Sequence, residues 1–188
     1  NPFNAVYYFV RGSFGNFFNT ADTISRVVPL TIAGIAFLVG AQCAVFNVGV
    51  EGQLLLGALA SAIVGFAVKL PAVIHLPLML LAGALAGGLY GLIPAWLKTK
   101  RGVNEILSTI MLNYPATYLT HFLTVKVLPV EGVVPATPFI EETAKLPTLL
   151  AGTRLHAGVF VMLLVIIFAY ILLYKTSLGY EMRAVGFN

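Results

Sequence analysis

The chain has 188 residues, of which 59% are hydrophobic and only 10% charged, against about 45–50% and about 25% in an ordinary soluble domain, so a soluble globular fold is excluded and the solvent is lipid. Its net charge of +4 and pI near 9.3 come from short basic clusters between long apolar runs, not from a basic stripe with interleaved aromatics; this excludes nucleic acid as a partner and fits positive-inside topology. A single cysteine, Cys43, excludes an internal disulfide framework and a cysteine metal site.

The chain opens Asn1-Pro2-Phe3-Asn4, with neither an initiator Met nor a basic region ahead of an apolar core, so no signal peptide is read there. Residues 1–25 are rich in aromatics with Arg11, and are expected as an interfacial helix or loop. Five stretches then approach the roughly 20 apolar residues that a spanning helix needs: Val27–Phe46, Gly52–Val68, Leu76–Leu97, Ile106–Val125 and Ala157–Tyr174. The expected fold is all-α, a polytopic transmembrane helical bundle forming one domain over residues 1–188.

Connector charges orient it, because cytoplasmic loops are enriched in Lys and Arg. The Lys98-Thr99-Lys100-Arg101-Gly102 cluster faces the cytoplasm, and the segment 175–188, with Lys175 and Arg183, has the same parity and sign. The loop 126–156 balances Glu131, Glu141 and Glu142 against Lys126, Lys145 and Arg154, which suits the outside. Its prolines at 129, 135, 138 and 147 favour extended segments or turns. Counting back, the Lys69–Pro71 turn lies outside, the Asn47–Glu51 connector inside and residues 1–25 outside. A start on that face requires a further span upstream, so the chain is expected to be an internal piece of a longer polypeptide.

Polar groups at depth need partners, and mark candidate sites. Phe46-Asn47-Val48-Gly49-Val50-Glu51-Gly52-Gln53 is too apolar and short for an ordinary loop, and with Gly49 and Gly52 as flexible points it reads as a helix broken within the membrane. Asn47, Glu51 and Gln53 either line a polar pathway or cap and pack the second span, Glu51 being favoured near a helix N-terminus. Asn113, beside Tyr114-Pro115, contacts either a neighbouring helix or a solute. Asn104 is a natural N-cap and Glu105 a first-turn acid, with contact to a cytoplasmic partner as the other reading. Gly83, Gly87, Gly88 and Gly91 predict close helix approach.

No phosphate-binding loop of the Gly-x-x-x-x-Gly-Lys-Ser/Thr kind is present, so ATP and its Mg²⁺ are expected on other chains and no cofactor on this one. His75, His121 and His156 lack metal-ligand spacing and read as interfacial or packing residues; no metal site and no catalytic residues are predicted.

Phe46 to Ala58, Gly102 to Ile106 with Thr109 to Tyr114, Gly152 to Gly158, and Thr176 to Asn188 together resemble the nucleoside and simple-sugar permeases of ABC importers, in the group that also serves ribose and branched-chain amino acids. That resemblance covers nearly the whole chain and implies a bacterial cytoplasmic-membrane permease of about ten spans. It implies pairing with a second permease, two ATP-binding subunits and an extracytoplasmic substrate-binding lipoprotein. It further implies that Leu178, Gly179, Arg183, Ala184, Gly186 and Asn188 lead into the coupling helix that docks on an ATPase, whereas charge alone reads Arg183 as a positive-inside anchor. Asn47, Glu51, Gln53 and Asn113 are the expected solute pathway. The rival readings are a branched-chain amino acid permease, an ATP-independent transporter or channel, and a non-transporting scaffold.

Overall fold

A computed structural model describes residues 1–130 and 136–187. Its helices are α1 (Pro2–Phe14), α2 (Phe17–Ala41), α3 (Val50–Ala67), α4 (Ala72–Arg101), α5 (Glu105–Phe122), α6 (Gly158–Lys175) and α7 (Ser177–Phe187). A π-turn, Leu123–Val127, prolongs α5, and a short 3₁₀ turn spans Glu142–Ala144. Among the described residues the extended structure is one isolated pairing, Thr148 with His156. The all-α fold is as expected.

Four helices are long and apolar enough to cross a membrane: α2, α3, α4 and α6. Helix α5 fills the fourth expected span but is not among those four; Glu105, Asn113, His121 and its serine and threonines dilute its apolar content. Large apolar side chains such as Leu85, Leu89, Leu164 and Phe168 point outward, while the buried positions are mostly small, among them Ala21, Ala116 and Ala169. That inversion of the soluble pattern suits helices whose outer faces meet lipid and whose backbones approach closely.

Several boundaries differ from the sequence expectation. Asn16 adopts an extended backbone and accepts from the Asn19 N–H at 2.7 Å, an N-cap that starts α2 ten residues before Val27. The interfacial stretch 1–25 is therefore helix α1 and the first turns of α2. Helix α2 ends at Ala41, and Ala44 takes a left-handed φ of 54°, strained for a residue with a Cβ. The helix break thus begins earlier than Asn47.

The chain divides into two compact units, Asn1–Cys43 with Leu146–Asn188, and Ala44–Lys145. The division falls inside the break and again inside the 126–156 loop. In the first unit α2 packs on α1 and α6, and α6 on α7. Ser25 donates to the Arg154 carbonyl at 2.8 Å, and the Arg154 N–H to Asp22 at 3.4 Å, so residues 22–25 and 154 share one end, as their assigned parity requires.

In the second unit α3, α4 and α5 pack together, α3 on α4 most extensively. A Cβ on Gly87 would stand 2.9 Å from the Gln53 carbonyl oxygen, and one on Gly57 2.9 Å from that of Gly83. The four-residue glycine spacing of α4 therefore meets Gln53, Gly57 and Ser61, a four-residue spacing on α3. Gly88 faces open space and has no part in the contact.

At one end of this unit the segment 136–145 is strapped over the α3–α4 turn. The Glu141 N–H donates to the Gly65 carbonyl at 2.9 Å, and Ile140 fills the notch that Gly65 leaves. His75 is fully buried, its Nδ1 2.9 Å from the Thr143 hydroxyl and its Nε2 3.2 Å from the Val64 carbonyl. Since a carbonyl only accepts, Nε2 carries a proton, and the ring is a packing histidine. Glu131 and Pro135 lie outside the described residues.

Candidate functional site

The polar residues of the second unit converge where α5 crosses the break before α3. Helix α5 starts on Asn104, whose side chain accepts from the Ile106 and Leu107 N–H groups at 2.9 and 3.2 Å, the expected cap. From that start, Thr109 and Asn113 fall four residues apart on one face, directed at the break. The Val48 N–H donates to Thr109 Oγ1 at 3.3 Å, the Gly52 N–H donates to Asn113 Oδ1 at 2.9 Å, and Asn113 Nδ2 donates to the Val48 carbonyl at 3.3 Å. Backbone groups that a helix end leaves unpaired are thus satisfied by side chains of a neighbouring helix.

This corrects the reading of Gly49 and Gly52 as flexible points. Gly49 has an ordinary φ of −86°, and a Cβ there would lie 3.0 Å from Thr109. A Cβ on Gly52 would lie 2.9 Å from Asn113 Oδ1 and 3.1 Å from the Ala116 Cβ. Both are close-approach glycines that let α5 seat against the break.

Below this clip, Lys98 Nζ reaches Glu105 at 2.8 Å and the Ala44 carbonyl at 3.3 Å. The Lys98 hydrogen bond holds the Glu105 carboxyl below the usual carboxylate range, and backbone N–H groups of Glu105 and Phe46 act in the same direction. The basic end of α4, the start of α5 and the beginning of the break therefore share one end of the unit, opposite the strap.

The four expected pathway residues separate into two pairs. Asn47 and Gln53 bond to each other, Asn47 Nδ2 to Gln53 Oε1 at 3.2 Å and Gln53 Nε2 to Asn47 Oδ1 at 3.4 Å, and Asn47 Oδ1 also accepts from the Gly49 N–H at 3.0 Å. They brace the break across its gap. Glu51 and Asn113 instead border an open recess of about 470 Å³, with Ile110, Tyr114, Thr117 and Tyr118. That volume lies within the roughly 300–1,000 Å³ typical of ligand sites. Tyr114, Thr117 and Tyr118 were not among the expected pathway residues; the four-residue spacings of Thr117 from Asn113 and of Tyr118 from Tyr114 on a helix were the available signal.

The candidate coupling residues lie on α7. Helix α6 stops at Thr176, whose hydroxyl donates to the Leu172 carbonyl at 2.6 Å and accepts from the Gly179 N–H at 3.0 Å. Gly179 is buried against the last carbonyls of α6, where a side chain has no room. Arg183 folds back, its Nε donating to the Gly179 carbonyl at 3.3 Å and its guanidinium 5.0 Å from the Tyr174 ring centre. Leu178 and Ala184 are exposed and Gly186 half-buried. Asn188 lies outside the described residues.

Comparison with known proteins adds the relationship. Over 187 residues the chain is 38% identical to the guanosine ABC transporter permease protein of Bacillus subtilis, covering 95% of this chain and 52% of that one. It is 38% identical over 185 residues to the glucose ABC transporter permease protein of Haloferax volcanii, with 91% and 48% covered. It is 29% identical over 179 residues to the nucleoside ABC transporter permease protein of Lactococcus lactis, with 89% and 49% covered. The chain spans about half the length of these curated relatives, and no solved structure matches it. The family described as branched-chain amino acid transport system / permease component matches residues 19–188, which takes in the break, its clip on α5 and the α6–α7 junction, and the chain belongs to that family of membrane proteins.

Proposed function

We propose that the chain is part of the translocation unit of an ATP-driven importer of nucleosides or simple sugars in the bacterial cytoplasmic membrane. The observation that carries this is the recess beside the helix break. Among the described residues it is bordered by a carboxylate, an amide, a threonine, two tyrosines and an isoleucine, and by no cationic side chain, a lining suited to a neutral polyhydroxylated solute. Broken helices at a solute path are a recurring device of transporters. ATP with Mg²⁺ acts on two partner ATP-binding subunits, which α7 engages through Leu178, Arg183 and the residues up to Asn188. A second permease completes the pore, and an extracytoplasmic lipoprotein delivers the solute.

The relatives named for guanosine, glucose and nucleosides support this substrate range over branched-chain amino acids. A zwitterion needs a cationic group or a helix end for its carboxylate; among the described residues the recess lining supplies no cation, and at the adjacent start of α3 Glu51 repels a carboxylate and the Gly52 N–H is already taken by Asn113. The test is uptake by the full-length protein reconstituted with its partner subunits, using labelled guanosine, glucose and leucine. ATP-dependent uptake of guanosine or glucose is expected. Uptake of leucine alone would keep the importer and replace the substrate, and uptake independent of ATP would overturn the importer.

A further inference from the structure

The Glu51 carboxylate is exposed, and it makes no hydrogen bond or ion pair among the described residues. It sits in the first turn of α3, which α5 holds in place through the bond from the Gly52 N–H to Asn113. Across the recess, Tyr114 and Tyr118 are 59% and 71% exposed and share one face of α5 by their four-residue spacing. Asn113 spends its oxygen and one N–H on the break, which leaves its second N–H to donate. Thr117 donates to the Asn113 carbonyl at 2.9 Å and keeps its oxygen lone pairs.

We infer that this recess recognises a nucleobase, with Glu51 as the acceptor for an edge carrying adjacent ring N–H and exocyclic amino donors and the two tyrosines as its stacking surface. A carboxylate takes two parallel N–H donors in bidentate fashion, and aromatic rings stack on any base face. Asn113 and Thr117 are placed for sugar hydroxyls. The uncompensated negative charge disfavours phosphorylated and carboxylate-bearing solutes. The assignment rests on the recess being the solute path, and selects nucleosides over sugars within it.

The test uses the full-length protein with its partner subunits in proteoliposomes, comparing ATP-dependent uptake of guanosine and inosine, which differ by the exocyclic amino group. Every variant keeps the same binding protein, so a changed preference arises in the permease. Glu51→Gln is expected to lower the guanosine-to-inosine ratio about tenfold, equivalent to about 1.4 kcal/mol. Loss of a helix-terminus charge alone would slow both alike, so an unchanged ratio overturns the assignment. Tyr118→Ala is expected to raise KM for both nucleosides and Tyr118→Phe to restore it. Failure of Phe to restore it overturns the stacking surface, and this pair decides the matter if Glu51→Gln does not assemble. An unsubstituted transporter that imports glucose or leucine but neither nucleoside overturns the nucleobase assignment and keeps the importer; one with no ATP-dependent uptake of any of these four solutes overturns the importer reading instead.

Discussion

Asn113 shows how much one side chain holds in this fold. Its amide satisfies the Gly52 N–H and the Val48 carbonyl together. Asn113→Ala leaves both without their partner; the Gly52 N–H is at a buried residue, where an orphaned donor costs about 1–3 kcal/mol, while the exposed Val48 carbonyl can turn to water. The expected result is a lowered thermal midpoint of the purified protein in detergent, with Asn113→Asp falling between because it keeps the acceptor for Gly52. Glu105 offers a pH test. Its folded pKa is depressed, so its contribution is present above the ordinary value of about 4.3 and is lost as pH falls through the lower folded value. The midpoint is expected to drop on acidification below about pH 4.3, and Glu105→Gln to flatten that dependence. The sequence displayed Asn47, Glu51, Gln53 and Asn113 as polar groups needing partners. It did not reveal that Asn47 and Gln53 bond to each other while Glu51 and Asn113 border the recess, since the Asn47–Gln53 bond spans six residues from the break into the first turn of α3 and matches no regular period.

Between elements, the contact of α3 with α4 depends on which glycines face inward. The spacing Gly83, Gly87, Gly91 was legible as a packing stripe. Its counterpart Gln53, Gly57, Ser61 becomes visible only once the two helices are known to run antiparallel with Gly57 opposite Gly83. Adjacent glycines give the sharpest contrast. Gly87→Ala drives a Cβ to 2.9 Å from the Gln53 carbonyl oxygen, an overpacking expected to cost about 1–3 kcal/mol. Gly88→Ala meets nothing within 4 Å, and is expected to be neutral or to gain up to about 1 kcal/mol from helix propensity. Thermal unfolding of the two variants side by side checks this. Helix ends were less legible than helix existence: the Asn16 cap and the left-handed Ala44 set both ends of α2, and neither interrupts the hydropathy of the run.

At the scale of the whole molecule, charge parity alone gave a consistent pattern. The Lys98–Glu105 bond gathers one end of the second unit, and the Gly65, His75 and Lys69 contacts with residues 141–143 gather the other. By the positive-inside rule, the basic residues at the first end are expected to face the cytoplasm. In a Cys43→Ala background, Lys100→Cys is expected to resist a membrane-impermeant maleimide applied to intact cells, and Glu142→Cys to react. The reverse pattern would invert the topology. The most direct test of the α5 recess as the solute path is the labelling rate of Thr117→Cys in the same background, within the complete reconstituted transporter. Protection by the transported solute, with loss of ATP-dependent uptake once the cysteine is labelled, is the expected result. Labelling that the solute does not slow and that leaves uptake intact would place the path elsewhere.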